Sequence, residues 1–272
     1  MNLSDPPKIP VDAHVHFHDP RLVEATLDAA ARNFRALGIA DSTPPRGVLL
    51  LAQSPREAVF EWLGEQPRVG QWMVTGVPAE SHCLWLRCEA SELLVVCGYQ
   101  VDVERGLELL VLGTDRRIAG GLGFVPTVRE ARARGALAVL PWGFGKWTGR
   151  RKRRVRAAIN SADLPDMWMG DNGGRLSALP RPPLLAEGER AGHAILPGSD
   201  PFPFGGDYRR VGSFGCLVPI VLDRERPWQS LRIALVRHGG SPQAYGRAAG
   251  LLEFGLKQAR IQVHKRYAGR AS

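Results

Sequence analysis

The hydrophobic residues of this chain fall into two patterns, short continuous runs and segments with helical spacing. Continuous apolar runs at residues 47–52 and 135–140 are typical of β-strands that are covered on both faces. Apolar residues recur at helical intervals in residues 21–37 and 127–134, which predicts amphipathic helices there. The alternation of strands and helices predicts an α/β fold.

The middle of the chain departs from this alternation. Short apolar segments separated by turn residues predict several strands with little helix between them, at residues 70–76, 83–87, 93–99 and 107–112. Further strands are expected before a polar turn at 171–175, in residues 192–198 and in residues 212–222. We expect residues 1–272 to form one domain, with its core in residues 9–240 and a C-terminal helix at 241–263.

The composition is that of a globular protein with a localised positive charge. With 272 residues, of which 44% are hydrophobic, the chain can bury one large core. The net charge is +9, and residues 146–156 carry seven cationic side chains and no acidic one, which leaves the rest near neutral (9 − 7 = +2). This local cluster argues against a general nucleic-acid surface and fits either an anionic ligand or a solvated helix face.

The cysteines and the N-terminal segment bear on the compartment. The four cysteines include no Cys-x-x-Cys pair, and three lie in or near apolar runs, which predicts buried free thiols at Cys83, Cys88, Cys97 and Cys216. No secretory signal and no membrane-spanning apolar run is recognisable. We therefore expect a cytoplasmic protein without a membrane partner.

Three of the seven histidines alternate along one short stretch near the N-terminus. His14, His16 and His18 follow the apolar residues Ile9 and Val11, which read as the start of a buried strand. Side chains at alternate strand positions point to the same face, so two of these imidazoles are able to reach one metal ion. Neutral imidazole is a good ligand for zinc, iron and manganese. The alternative is a loop with solvated histidines.

Polar side chains also follow several later strands. They are Gln53, Gln100, Lys146, Asp171 with Asn172, and Asp200. In α/β barrels the chemistry collects at the carboxyl ends of parallel strands. We therefore expect these residues to surround the histidines at one rim of the fold.

Four motifs resemble those of the PHP (polymerase and histidinol phosphatase) domain. They are Asp12-Ala13-His14-Val15-His16, Gly98-Tyr99-Gln100 with Gly106-Leu107-Glu108, residues 131–141, and Gly198-Ser199-Asp200. The resemblance spans about residues 9–222 and implies a distorted (β/α)7 TIM-like barrel that binds divalent metal ions. The first and last motifs are also similar to those of metal-dependent amidohydrolases, in which a late aspartate joins the histidine pair at the metal.

The chain departs from the PHP pattern at several metal ligands. Gln53 stands where the second motif ends in histidine, and Gln100 stands where a bridging glutamate is expected. Trp142 and Phe202 replace two further histidines. An amide is a poor metal ligand and an aromatic hydrocarbon is none. The ligands that remain are His14, His16 and Asp200, so we expect one divalent ion, Zn, Mn or Fe.

These observations predict a metal-dependent hydrolase of the phosphoesterase or amidohydrolase type, acting on a small anionic substrate. The candidate catalytic residues are Asp200, His18 and Asp171. The candidate substrate-binding residues are Lys146, Arg150, Arg175, Asn172, Gln100 and Trp142. The alternative is a catalytically degenerate PHP-like barrel that binds a ligand or a protein partner. The sequence leaves the oligomeric state open, and it disfavours nucleic acid as a partner.

Overall fold

The structure is a computed structural model that describes residues 6–39, 46–55, 57–143, 145–164, 166–203, 205–250 and residue 255. Its strands form one sheet of eight and one sheet of five. The strands are β1 (Lys8–Val15), β2 (Arg46–Leu51), β3 (Arg68–Val69), β4 (Trp72–Gly76), β5 (Cys83–Cys88), β6 (Ser91–Val96), β7 (Gly98–Val103), β8 (Leu107–Leu112), β9 (Leu137–Pro141), β10 (Trp168–Asn172), β11 (Ile195–Gly198), β12 (Phe214–Pro219) and β13 (Gln243–Gly246). The helices are α1 (Val23–Arg35), α2 (Val59–Glu65), α3 (Phe124–Ala133), α4 (Gly149–Ile159), α5 (Pro183–Arg190) and α6 (Pro227–Arg237).

Both sheets mix parallel and antiparallel pairs. The larger sheet has the order β13-β12-β1-β2-β6-β5-β4-β3, and the smaller has the order β11-β10-β9-β8-β7. Strands β1, β2 and β6 run parallel, as do β9, β10 and β11. The remaining pairs in both sheets are antiparallel.

The predicted TIM-like (β/α)7 barrel is wrong. The described strands pair into two separate mixed sheets rather than one closed sheet. The physical reason lies in the middle of the chain, where β3 to β6 and β7 to β8 are joined by short antiparallel connections instead of crossover helices. A one-residue bridge from Gln53 to Tyr99 links the end of β2 to β7, so the sheets contact each other there without continuous pairing.

Most of the predicted local elements are confirmed by the structure, with shifted ends. The strand run 47–52 is β2, and its alternate residues enter apolar clusters on opposite faces, Leu49 and Leu51 on one and Val48 and Leu50 on the other. The buried, free state of all four cysteines is confirmed as well.

The predicted C-terminal helix is wrong at its start. Strand β13 lies within the predicted helix and pairs antiparallel with β12 at the edge of the larger sheet. This pairing overrides the helical spacing of the apolar residues in the sequence. The rest of that prediction, residues 251–254 and 256–263, lies outside the described residues. No helix in the described ranges is long and apolar enough to cross a membrane. The single-domain organisation stays a prediction.

Candidate metal centre

The centre begins with two imidazoles at the end of β1. His14 lies on the strand and His16 follows its last residue, and both are buried. Their ring centroids are 5.0 Å apart, and their Nε2 atoms face each other at 3.1 Å. The alternation of side chains along the strand thus brings the two rings together, as the sequence pattern predicts.

Asp200 joins the two imidazoles from the loop after β11. Its Oδ1 lies 3.6 Å from Nε2 of His14 and 3.8 Å from Nε2 of His16. Its backbone N–H donates to the carbonyl oxygen of His14 at 2.8 Å, which ties the loop to β1. The φ of Asp200 is 47°, a left-handed conformation that costs a non-glycine residue of order 1 kcal/mol or more and must be held by these surroundings.

The carboxyl group of Asp12 connects β1 to the loop after β11 and to the loop before β12. One oxygen of its buried carboxyl, Oδ1, accepts the N–H of Ser199 at 2.8 Å and that of His14 at 3.3 Å. The other, Oδ2, accepts the N–H of Gly212 at 2.8 Å. Burial raises the pKa of Asp12 to about 6, against the opposing effect of these hydrogen bonds. Asp12 is therefore a positioning residue for His14 and for the loop that carries Asp200.

Glu57 is a centre residue that the sequence reasoning missed as a ligand. The spacing of Ser54 and Glu57 predicts a capping box, and Oε2 of Glu57 does accept the N–H of Ser54 at 2.7 Å. The helix, however, begins only at Val59, so the carboxylate points into the centre instead. Its Oε2 lies 3.9 Å from Nδ1 of His16. The sequence feature that could have identified Glu57 is its position soon after β2. Because β2 runs parallel to β1, the two strands end at the same edge of the sheet.

His18 is held between two hydrogen-bond acceptors. Its Nδ1 is 2.9 Å from Oε1 of Glu57, and its Nε2 is 2.9 Å from the carbonyl oxygen of Pro201. Burial lowers the pKa of His18, but the bonds to Glu57 and Pro201 outweigh burial and raise it. Burial likewise opposes ionisation of Glu57, yet the neighbouring imidazoles and the Ser54 N–H hold its pKa well below the usual range. Because both ring nitrogens of His18 face oxygen acceptors, the arrangement favours an imidazolium beside a carboxylate when no ion is bound.

The three histidines, Glu57 and Asp200 line one open cavity of about 450 Å³. Of the residues predicted to bind substrate, Gln100, Lys146 and Trp142 line the same cavity. Glu108, which the sequence reasoning did not assign to the site, accepts hydrogen bonds there from Nε2 of Gln100 at 3.1 Å and from Nζ of Lys146. The cavity therefore has cationic, anionic and aromatic walls around the candidate ligands.

Asn172 and Asp171 are adjacent on β10 but their side chains point to opposite faces of the strand. Nδ2 of Asn172 donates to Oδ2 of Asp200 at 2.8 Å. Asp171, next to it on β10, points to the other face and forms an ion pair with Arg175 at 3.1 Å. Burial raises the pKa of Asp171, against the effect of Arg175. Neither Asp171 nor Arg175 lines the cavity, and Arg150 lies on the exposed side of α4.

The donor set fits a divalent metal ion. His14, His16 and Asp200 offer ligand atoms that all lie within 4.8 Å of one another, and His16, His18 and Glu57 form a second such group. Nδ1 of His16 is buried without a hydrogen-bond partner, and the facing Nε2 atoms of His14 and His16 leave room for only one proton between them. A cation beside these nitrogens would satisfy them better than protein groups do.

The comparisons with known proteins concern the fold alone. No protein-family model and no curated protein matches the chain. The chain is similar in structure to PsfC from Pseudomonas syringae PB-5123, known from a crystal structure, with a TM-score of 0.53. The match covers 96% of this chain and 99% of PsfC at 13% sequence identity. At that identity the likeness carries no statement about activity.

Proposed function

We propose that this chain is a metal-dependent hydrolase, of the phosphoesterase or amidohydrolase type, that acts on a small anionic substrate. The observation that supports the proposal is the convergence of His14, His16 and Asp200 in one cavity. The two histidines and the aspartate are far apart in the sequence, and packing alone does not require them to meet. Two imidazoles and one carboxylate are a common ligand set of hydrolytic metal centres.

His14, His16 and Asp200 would hold one Zn, Mn or Fe ion in this proposal. Such an ion, when bound, supplies an activated water and polarises a phosphoryl or carbonyl oxygen. Oδ2 of Asp200, which Asn172 holds in place, would accept a proton from the attacking water, while Oδ1 faces the imidazoles. His18, whose Nε2 faces the carbonyl oxygen of Pro201, would donate a proton from this nitrogen to the leaving group. Asp171 has no role, because it faces away.

The cavity wall supports a substrate with a phosphate or carboxylate group. Lys146 is about half-exposed and paired with Glu108, so its ammonium is able to exchange this partner for a substrate anion. Gln100 adds an amide donor beside it. The cations of α4, which continue the chain after Lys146, would attract anions toward the cavity at longer range.

A second candidate function is the binding of a ligand without catalysis. The observation in its favour is that Trp142 and Phe202 line the cavity where the resemblance implies histidine ligands. Aromatic side chains at these positions would hold a ligand by stacking but would not bind a second or third ion.

The two functions are separated by metal loading and turnover. The protein is stripped with a chelator, reconstituted with Zn, Mn or Fe, and analysed for metal content. Hydrolysis is then measured with p-nitrophenyl phosphate, bis-p-nitrophenyl phosphate and p-nitrophenyl acetate. We expect a double variant, His14→Ala with His16→Ala, to bind one ion fewer per chain than the unaltered protein and to lose turnover by more than about a hundredfold.

His238→Ala is the matched control, because His238 is exposed at the end of α6. It should keep both the ion and the turnover of the unaltered protein. Undiminished turnover in the double variant would rule out metal-dependent hydrolysis at the His14 centre. Metal binding without turnover on any of the three substrates would favour the ligand-binding function.

A further inference from the structure

A separate group of potential ligands lies in the turn between β4 and β5 and at the first residue of β5. Glu80, His82 and Cys83 offer an oxygen, a nitrogen and a sulfur atom that all lie within 4.8 Å of one another. This group shares no residue with the centre around His14. The turn is closed by backbone hydrogen bonds, Cys83 N–H to the Glu80 carbonyl at 2.8 Å and Glu80 N–H to the Val77 carbonyl at 3.0 Å. The three side chains are thus held on a short, hydrogen-bonded frame.

Glu80 is already fixed by the first turn of α6. Its two carboxylate oxygens accept the N–H groups of Trp228 at 2.7 Å and Gln229 at 2.9 Å, and the helix has no side-chain cap of its own. The carboxylate is buried and cannot swing away without leaving these donors unpaired. Oε1 has a further lone pair, and Oε2 gains one when the thiol of Cys83, which also contacts it, loses its proton. A ligand that is held in place before the ion arrives costs little ordering entropy on binding.

His82 and Cys83 are less well satisfied by protein groups. Nε2 of His82 is buried without a hydrogen-bond partner, while the ring packs edge-on against Trp228 with centroids 6.5 Å apart. An unpaired buried nitrogen is unfavourable, because it has lost the hydrogen bond that water gives it in the unfolded chain. Sγ of Cys83 makes a long contact of 3.6 Å to Oε2 of Glu80 and also contacts the backbone N–H of Trp228. The fold therefore places a nitrogen without a hydrogen-bond partner and a weakly bonded sulfur close to a fixed carboxylate.

We infer that Glu80, His82 and Cys83 bind a thiophilic divalent cation, of the class of Zn²⁺. Binding forms bonds from the ion to one Glu80 oxygen, to Nε2 of His82 and to Sγ of Cys83. The thiol loses its proton to solvent as the sulfur–metal bond forms, and no electron is transferred. Water completes a tetrahedral shell. The ion would hold together the β4–β5 turn, whose Glu80 already caps α6, so its role is structural.

Cobalt distinguishes this site from the centre around His14, because that centre contains no sulfur ligand. The protein used is the His14→Ala, His16→Ala double variant, stripped of metal and titrated with Co²⁺. We expect one ion per chain and a near-ultraviolet charge-transfer band from thiolate to cobalt. Adding Cys83→Ser should abolish this band. Adding Cys216→Ser, which removes another buried thiol, should leave it unchanged.

A variant at His82 covers the case in which Cys83→Ser does not fold. His82→Gln keeps the thiol and the Glu80 cap, and we expect it to weaken cobalt binding by more than about tenfold. Circular dichroism verifies the fold of each variant. The inference is overturned if cobalt gives no thiolate band in the double variant, or if the band persists after Cys83→Ser. Because the His14 centre is disabled throughout, either outcome leaves the proposed hydrolase untouched.

Discussion

The side-chain amide of Asn172 donates to Oδ2 of Asp200 at 2.8 Å, and the same nitrogen donates to the carbonyl oxygen of Trp142 at 2.9 Å. Oδ1 of Asn172 accepts the N–H of Gly174. One amide therefore joins β10 to the loop after β9 and aims the carboxylate of Asp200 at the two imidazoles. A side chain that orients a ligand in this way contributes to metal affinity without touching the ion.

Asn172→Ala should weaken metal binding at the His14 centre by about 10- to 100-fold. The control is Asn33→Ala, because the amide of Asn33 also donates to two backbone carbonyls, those of Arg209 and Val211, away from the cavity. Both variants should lose stability, by roughly 1–3 kcal/mol. Only Asn172→Ala should change the dissociation constant measured by competition with a chelator. Equal metal affinity in the two variants would contradict the positioning role.

Asp12 should make the stability of the metal-free protein pH-dependent. Its pKa is about 6 in the folded chain against 3.8 for an unperturbed carboxyl, so the folded state keeps this proton to higher pH than the unfolded state. The stabilisation linked to the proton is complete below about pH 4 and is lost as the pH rises through about 6, a change of roughly 3 kcal/mol. Chemical unfolding measured from pH 4 to pH 7 checks it.

Asp12→Asn should remove this pH-dependent part, because an amide does not titrate. It should also lower stability at all pH values, since its NH₂ group cannot accept the N–H groups that Asp12 accepts. The surface substitution Asp163→Asn serves as the control, because Asp163 is exposed and pairs only with Arg129 among the contacts described. A pH profile that is the same for Asp12→Asn as for the unaltered protein would show that another group is responsible.

Gly198→Ala should destabilise the contact between β11 and β1. A Cβ atom at Gly198 would lie 2.2 Å from the backbone nitrogen of His14, and backbone atoms cannot turn aside as a flexible side chain does. We expect a loss of roughly 1–3 kcal/mol or more, together with weaker metal binding, because β1 must shift. Gly76→Ala is the matched control, since Gly76 also ends a strand and a Cβ there meets nothing within 4 Å. Its stability should change by less than about 0.5 kcal/mol.

Arg150→Glu should stabilise helix α4. The first turn of this helix contains no acidic residue, and its N-cap, Thr148, makes no side-chain cap. A cation near a helix N-terminus opposes the helix dipole, so replacing it by an anion should add about 0.3–1 kcal/mol at low salt. Arg150→Gln separates removal of the cation from addition of the anion and should give a smaller gain. Thermal unfolding at low and high salt checks both, since a gain that persists at high salt would not be electrostatic.

Local structure around β1 was predictable because it depends on short-range periodicity. Apolar residues at odd positions and histidines at even positions are satisfied together by an extended chain with one apolar face and one polar face. The structure accordingly brings His14, His16 and His18 to one cavity. The run of β2 was predictable for the same kind of reason, because a strand buried on both faces has no polar position.

The closure of the sheet was not predictable from the same patterns. The alternation of strands and helices at both ends of the chain favoured a barrel, but the antiparallel strands between residues 68 and 112 divide the fold into two sheets. Strand pairing is a long-range choice that no local pattern records. The role of Glu57 was hidden for a similar reason, since its spacing from Ser54 suits a helix cap equally well.

The sequence by itself determined most of the strands and helices, that its cysteines are buried, and that three imidazoles share a face, because these follow from spacing along one stretch of chain. The tertiary structure decided which distant carboxylates meet those imidazoles. Asp200 and Glu57 lie beside the imidazoles, whereas Asp171 does not. On β10 it is Asn172, the neighbour of Asp171, that points toward Asp200, and Asp171 pairs with Arg175 on the other face. In a strand a shift of one residue reverses the face, and only pairing with neighbouring strands sets that register.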